Sequence, residues 1–427
     1  MLGHERDAQP GKEKVPEPLY FQTHSMILNQ RPIDKAIEIG DIHLGIRNNS
    51  MEWLHNIDVL FFHRFLIPYL RSLPDIDRYQ LFLTGDLFDS KQMYSLVVQN
   101  RARYTIKELA KILPVHIDLG NHDLYSDKPM VLENGEEIWI NACDFLSDID
   151  NVQVYLEPTT LETVTGMKFT IIPFIGTPNH HDVSREVSII EEIKKQHNDY
   201  LFMHTTIEGF FYEGKPIVEG EGITKQLLAP FKKVKNGHIH SMQEDGNILI
   251  LGTPYHTKMS ECDNPCYIYD VDYSSRDEVT KMVENKISPR YRNTNIFRIM
   301  EMTVDKAKKY VSNCYCRFKV PNHLTNSYDF VSIRDILAEH ARTIEFDPLV
   351  SEEMEAELVV GDEGIDTGMG KVDIRGKYPE YIEKLSMVNL SSKETLEVPD
   401  SMKPKLLEDF NALFTKAERG MNVNDLE

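Results

Sequence analysis

A short apolar run that breaks off at a cluster of Asp, Asn or His recurs along this chain, as AIEIGDIHLG, QLFLTGDLFD, VHIDLGNHD, YLFMHTT and KKVKNGHIH. Apolar runs of this length that stop so abruptly are buried strands, and they deliver polar side chains at their carboxyl ends. Helical patterns lie between them, from Leu60-Phe61-Phe62 through Phe65-Leu66 to Tyr69-Leu70, and from Leu96-Val97-Val98 through Ile106 to Leu109-Ala110. Strands alternating with helices predict a layered α/β domain whose chemistry sits on loops at the strand ends. KFTIIPFIG, NILILGTPY and CYIYDVDY read as further strands. They complete a two-sheet β-sandwich flanked by helices.

At 427 residues the chain exceeds what one hydrophobic core usually supports. We read residues 1–34 as a polar extension, 35–275 as the α/β domain, 280–345 as a small α+β accessory domain and 346–427 as an acidic linker with a terminal helix. In the accessory part IFRIMEMTV and CYCRFKV read as strands and VSIRDILAEHA as a helix. Beyond residue 343 about 20 acidic residues face about 9 basic ones. Within that acidic tail Leu406, Leu407, Phe410, Leu413, Phe414 and Ala417 form an apolar helical stripe, which either packs on its own domain or docks on a partner protein.

No apolar run approaches the length of a membrane span and the amino terminus lacks a signal-peptide core, so the expectation is a cytoplasmic protein without a membrane partner. Five cysteines, an odd number, fit a reducing compartment. Cys262/Cys266 and Cys314/Cys316 read as unlinked thiols rather than a zinc site. A net charge of −21 speaks against a protein that coats nucleic acid through a basic surface. It leaves open an enzyme that meets phosphates through bound cations.

The polar clusters supply Asp41, His43, Asp86, Asn121, His204, His238 and His240 as candidate metal ligands. Carboxylate, amide and imidazole together suit manganese, iron or zinc and not calcium. So many ligands imply two divalent cations with one carboxylate between them, and such a pair can clamp a phosphate during in-line displacement. Strand alternation aims His238 and His240 to one side, a pattern that a half-exposed strand edge also produces.

The order D-x-H, G-D-x-x-D, G-N-H-D, a lone H and G-H-x-H, over about residues 36–260, resembles the calcineurin-like metallophosphoesterase superfamily. The resemblance implies that Asp41, His43, Asp86 and His240 hold one cation and Asp86, Asn121, His204 and His238 the other, with Asp86 bridging. It implies further that His122 lies beside the scissile phosphate as a catalytic group, that Asp123 orients it, and that the nucleophile is a water activated by the cations. Manganese is the first expectation, with magnesium, iron and zinc as alternatives.

Ser90 and Asp123 stand where the Ser/Thr protein phosphatases of this superfamily carry Arg and Glu. GDLFDS and GHIHSMQEDGNILILGTPYHTKM instead resemble the SbcD-type DNA repair and recombination exonucleases, and Gly252-Thr253-Pro254-Tyr255 the recombination endonuclease subunits of tailed bacteriophages. This likeness implies manganese-dependent cleavage of DNA ends in the host cytoplasm, a homodimer, and docking of the carboxyl-terminal segment on an SMC-like coiled-coil ATPase of the SbcC type. A phosphodiesterase acting on nucleotides or small phosphodiesters is the alternative. Asp89 departs from relatives that have His at that place, and Arg47, Lys91, Arg101 and Arg103 are candidates to meet DNA phosphates.

Overall fold

Period-two alternation sorts the side chains of each strand into two layers. In Lys35–Ile39 (β1), Ile37 and Ile39 face an outer helical core while Ala36 faces inward. Tyr79–Thr84 (β2) repeats this with Leu81 and Leu83 outward and Phe82 inward. The computed structural model describes residues 31–89, 93–125, 130–135, 137–138, 140–321, 328–349, 386–388, 395–397 and 403–405. The amino-terminal extension before residue 31, Ser90, Lys91 and the stripe from Leu406 to Ala417 lie outside them.

The chain divides into two compact units, residues 1–319 with 328–347, and residues 320–327 with 348–427. In the second, the described residues include an antiparallel pair, Ser386–Val388 with Thr395–Glu397. The first contains both large sheets. Val115–Asp118 (β3) and Val152–Tyr155 (β4) extend β1 and β2 as parallel neighbours. Later in the chain come Thr159–Glu162 (β5), Lys168–Ile172 (β6), Tyr200–Met203 (β7), Lys233–Asn236 (β8), Gln243–Asp245 (β9), Ile248–Ile250 (β10), Tyr267–Asp272 (β11) and Val279–Glu284 (β12). One sheet has the order β12-β11-β1-β2-β3-β4 and the other β9-β10-β8-β7-β6-β5. The predicted two-sheet α/β sandwich is the observed fold.

Three apolar layers follow. Helical segments from Met51 to Ser72 and the helix Leu96–Ala110 cover the first sheet through Phe61, Phe62, Val98 and Ile106. Helix Val183–Lys195 covers the second through Ile190 and Ile193. Between the sheets Phe82, Phe169 and Phe202 meet edge to face or tilted, with centroids 5.2–5.8 Å apart.

The same inner layer holds a buried polar network. Lys235 of β8 lies 2.8 Å from Glu38 of β1, and the Tyr273 hydroxyl donates to Glu38 at 2.6 Å. A charge so placed is tolerated because its partner crosses from the opposite sheet, and removing one partner leaves the other uncompensated. Lys235→Met should therefore cost about 3–5 kcal/mol in denaturant unfolding. The double change with Glu38→Leu should recover most of that loss.

His116 of β3 is buried too. It stacks on Phe82 at 4.4 Å, and its ring nitrogens meet the Tyr155 hydroxyl at 2.7 Å and the Gln80 side-chain oxygen at 2.8 Å. Burial first, and then Arg31, push its pKa down to about 3. The unfolded chain thus binds the proton that the folded chain refuses, and stability falls as pH drops from about 6.5 toward 3, by at most about 1.4 kcal/mol per pH unit. His116→Gln should flatten that slope in urea titrations across the same window, relative to the parent.

The accessory region departs from expectation in one element. IFRIM is a helix, Ile296–Met300, not a strand. The Asn295 side chain accepts from the Phe297 amide at 3.0 Å and caps it, and Ile296 and Ile299 bury one face at helical spacing. Arg290–Asn295 (β13) and Cys314–Pro321 (β14) are parallel, and Thr343–Leu349 (β15) completes a three-stranded sheet. The helix Tyr328–Ala338 agrees with the sequence reading. All five cysteines are free, and no helix among the described residues is long and apolar enough to cross a membrane.

Candidate metal centre

The strands deliver their polar clusters to one place. Asp41 and His43 follow β1, Asp86 follows β2 and Asn121 follows β3, all in the first sheet. His204 follows β7, and His238 and His240 follow β8, in the second. The site is thus a seam between the carboxyl ends of two sheets.

The approach is so close that two positions require glycine. A Cβ on Gly120 would lie 2.1 Å from the Asp86 carboxylate, and one on Gly237 would lie 2.6 Å from that of Asp41. His43, Asp86 and His238 themselves adopt positive φ, at 54°, 47° and 69°. Left-handed backbone at non-glycine residues is strained, and here it turns three side chains into one cleft.

Potential ligand atoms of Asp41, His43 and His240 lie within 4.8 Å of one another, and so do those of Asp86, His204 and His238. Asn121 joins the second group, its side-chain oxygen 3.1 Å from His238 Nδ1. Asp86 lies between the groups, 3.4 Å from His204 Nε2 and 3.8 Å from His43 Nε2. The structure therefore brings together all seven residues named from the sequence.

Their chemistry fits divalent cations. His43 and His240 point Nε2 at Nε2 across 2.9 Å, and two imidazole nitrogens so close need a shared proton or a cation. Asp41 Oδ2 and His204 Nε2 are buried without a hydrogen-bond partner. The second ring nitrogens of His204 and His240 are occupied, which fixes their tautomers. His204 Nδ1 donates to the Thr84 carbonyl at 2.6 Å, His240 Nδ1 to Glu261 at 2.7 Å, and His43 Nδ1 faces Asp89 Oδ1 at 3.4 Å.

The electrostatics show what holds the seam. Burial alone lowers an imidazole pKa and raises a carboxyl's. For His204 burial works downward, but the Asp86 and Asp41 carboxylates outweigh it and bring the pKa to about 10. Asp86 is correspondingly held well below the usual range, because His204, His43 and His122 overcome its burial. His238 goes the other way, to about 3, through burial and the nearby His204.

The two residues expected to act in catalysis differ in their surroundings. The His122 amide donates to Asp86 Oδ1 at 2.8 Å, and its ring Nδ1 donates to the Asp89 carbonyl at 2.5 Å. Asp123 was expected to orient that ring, yet its carboxylate accepts the amides of Leu87, Phe88 and Gly120 at 3.0–3.2 Å. Burial and Asp86 push its pKa up to about 7. The carboxylate ties the two motif loops together.

Two of the basic residues expected to meet DNA are committed elsewhere. Arg101 pairs with Asp58 at 2.7 Å and Arg103 with Asp148 at 2.7 Å. Arg47 donates to the Tyr291 hydroxyl at 2.8 Å. Glu261, which backs His240, was not picked out from the sequence, and neither was Phe174, whose ring stands 6.2 Å from that of His238. Glu261 carries no spacing signal, since it lies 21 residues past His240 in an unremarkable polar turn.

Residues 35–242 match the family model for calcineurin-like phosphoesterases. The matched segment, just under half of the chain, is thus similar to the calcineurin-like phosphoesterases, and it spans the candidate ligands from Asp41 to His240. Among individual proteins it is similar to Exonuclease subunit 1 of Enterobacteria phage T4, with 27% identity over 52% of this chain and 59% of that protein. Putative phosphoesterases of Invertebrate iridescent viruses 3 and 6 are each 24% identical, over 48% and 49% of this chain and 52% and 65% of their own lengths. The chain spans less than two thirds of the length of each of these three relatives.

Because Asp86 faces both groups, Asp86→Asn should weaken cation binding at both. A divalent cation at a hundred times its dissociation constant stabilises a protein with one site by about 2.7 kcal/mol. Thermal melts of chelator-stripped protein should show that upward shift in the parent and little of it in the Asp86→Asn variant.

Proposed function

We propose that this chain is a manganese-dependent nuclease that hydrolyses phosphodiester bonds at DNA ends with two cations. The carrying observation is the convergence of Asp41, His43, Asp86, Asn121, His204, His238 and His240 on one seam, in a chain similar to a phage exonuclease subunit. Asp41, His43, Asp86 and His240 would hold the first cation and Asp86, Asn121, His204 and His238 the second. Bound there, the cations supply a water nucleophile of lowered pKa and charge neutralisation at the phosphate oxygens.

The chain's own residues do the rest. His122 Nδ1 gives its hydrogen to the Asp89 carbonyl, so Nε2 is the nitrogen turned to the substrate. In the imidazolium form it stabilises the developing charge and hands a proton to the leaving oxygen. Asp123, through its three amide contacts, sets the distance between the loops that carry Asp86 and His122.

The same reading extends to assembly. The exposed face of helix Leu96–Ala110 presents Leu96, Val97 and Tyr104, which favours a second copy of this chain as partner. The acidic carboxyl-terminal region, with its Leu406 to Ala417 stripe, is assigned to an SMC-like coiled-coil ATPase, and the cell compartment to the host cytoplasm. We divide the chain functionally into an extension (1–34), nuclease domain (35–275), accessory DNA-binding or capping domain (280–345) and docking tail (346–427).

His122→Ala should lower manganese-dependent cleavage of linear duplex by about 10²–10⁴-fold while manganese stoichiometry is unchanged, since the backbone N–H of residue 122 still donates to Asp86. Cleavage at the parent rate would remove His122 from the mechanism. Rapid turnover of a chromogenic phosphodiester with no action on DNA would instead favour a nucleotide or small-phosphodiester substrate.

A further inference from the structure

Behind His240 a chain of contacts leads out of the metal centre. Glu261 is only 2% exposed and receives His240 Nδ1–H on Oε1 at 2.7 Å. Its Oε2 accepts the Thr257 amide at 2.6 Å, and the Thr257 hydroxyl donates to both oxygens, at 2.8 and 3.0 Å. The preceding residue, His256, is buried as well. It accepts the Tyr291 backbone amide on Nδ1 at 2.9 Å and donates from Nε2 to the Asn264 carbonyl at 2.9 Å.

Tyr291 belongs to β13 of the accessory sheet, and its ring is fixed on two sides. It stacks on Trp53 at 6.3 Å and on Tyr315 of β14 at 5.1 Å. Its hydroxyl takes the Arg47 guanidinium, four residues beyond His43. The accessory strand thus reaches His240 through His256, Thr257 and Glu261, and the His43 loop through Arg47. The other group is backed differently, since His204 leans on the Thr84 carbonyl within the sandwich.

We infer that Glu261 is the positioning residue for His240, and that the turn from His256 to Glu261 carries the seating of the accessory sheet into the cation affinity of the Asp41–His43–His240 group. The inference rests on the ligand assignment proposed above. A carboxylate on one ring nitrogen holds the imidazole in the tautomer and direction that a cation needs on the other, and losing such a partner typically costs 10–100-fold in metal affinity. Coupling between two sites is reciprocal, so cation binding in turn steadies β13.

Manganese binding to the full chain, followed by calorimetry and by the electron paramagnetic resonance of free Mn²⁺, tests this without an activity assay. Glu261→Ala should weaken one of two sites by about 10–100-fold and leave the other at the parent affinity. Glu261→Gln, which keeps an acceptor oxygen, should recover part of the loss. His256→Ala, which cuts the tie to Tyr291 without touching a ligand, should weaken the same site. In the parent, Mn²⁺ should also slow hydrogen exchange at the Tyr291 amide. Parent affinities at both sites in folded Glu261→Ala overturn the positioning role, and in folded His256→Ala they overturn the coupling. Should Glu261→Ala not fold, Glu261→Gln decides on the same criterion. His240→Ala separates the two levels, because two undiminished sites in that variant overturn the ligand assignment itself.

Discussion

The attraction between carboxylates at the end of one sheet and imidazoles at the end of the other is the interaction on which the rest of this site depends. Asp41 and Asp86 belong to the first sheet and His204 to the second, with His204 3.6 Å from Asp41 and 3.4 Å from Asp86. Buried charges are tolerated only when paired. Here the partners come from different sheets, so the pairing also fixes how the two sheets meet. The raised pKa of His204 and the depressed pKa of Asp86 are two views of that one contact. Burial, and then the nearby His204, lower the pKa of His238 and favour the neutral imidazole.

Such a seam has to be held from behind, because its backbone is strained. Positive φ at His43, Asp86 and His238 costs on the order of 1–3 kcal/mol each. The packing that offsets it lies one layer down, where Phe82, Phe169 and Phe202 interlock and Lys235 meets Glu38. Lys235 and His238 are three residues apart, so the residue that ties the sheets together and a residue offered to the cation sit on one short segment. Stability and chemistry are joined there by chain connectivity.

What was legible in the sequence was local. Each ligand follows its strand within a few residues, so an apolar run and its terminal cluster announce both the element and the donor, and the sandwich follows from the alternation. Contacts made across long stretches of chain left no such mark. Arg101 and Arg103 looked available to phosphates because nothing nearby in sequence reveals Asp58 and Asp148, more than 40 residues away. Asp123 reads as a partner for its neighbour His122, and the sequence does not show that its carboxylate also accepts three buried amides, two of them more than 30 residues away. IFRIM reads as a strand by its β-branched and aromatic content, and a single Asn cap with two buried isoleucines makes it a helix. Glu261 is the clearest case, since a lone acid in a polar turn becomes meaningful only once His240 is seen to lean on it.

The charge of the chain also acquires a different meaning in the folded site. Asp41, Asp86, Asp89 and Glu261 crowd around imidazoles, and a phosphate brought to that cleft without cations would meet carboxylates first. Two divalent cations, held as proposed above, would add four positive charges and offset these four carboxylates. On that reading substrate binding would be conditional on metal, more so than in a site lined by arginines. Arg101, Arg103 and Arg47 are already engaged with Asp58, Asp148 and Tyr291. On the proposed reading an acidic chain would keep weak general affinity for polyanions and still hold a phosphate where cations offset its carboxylates.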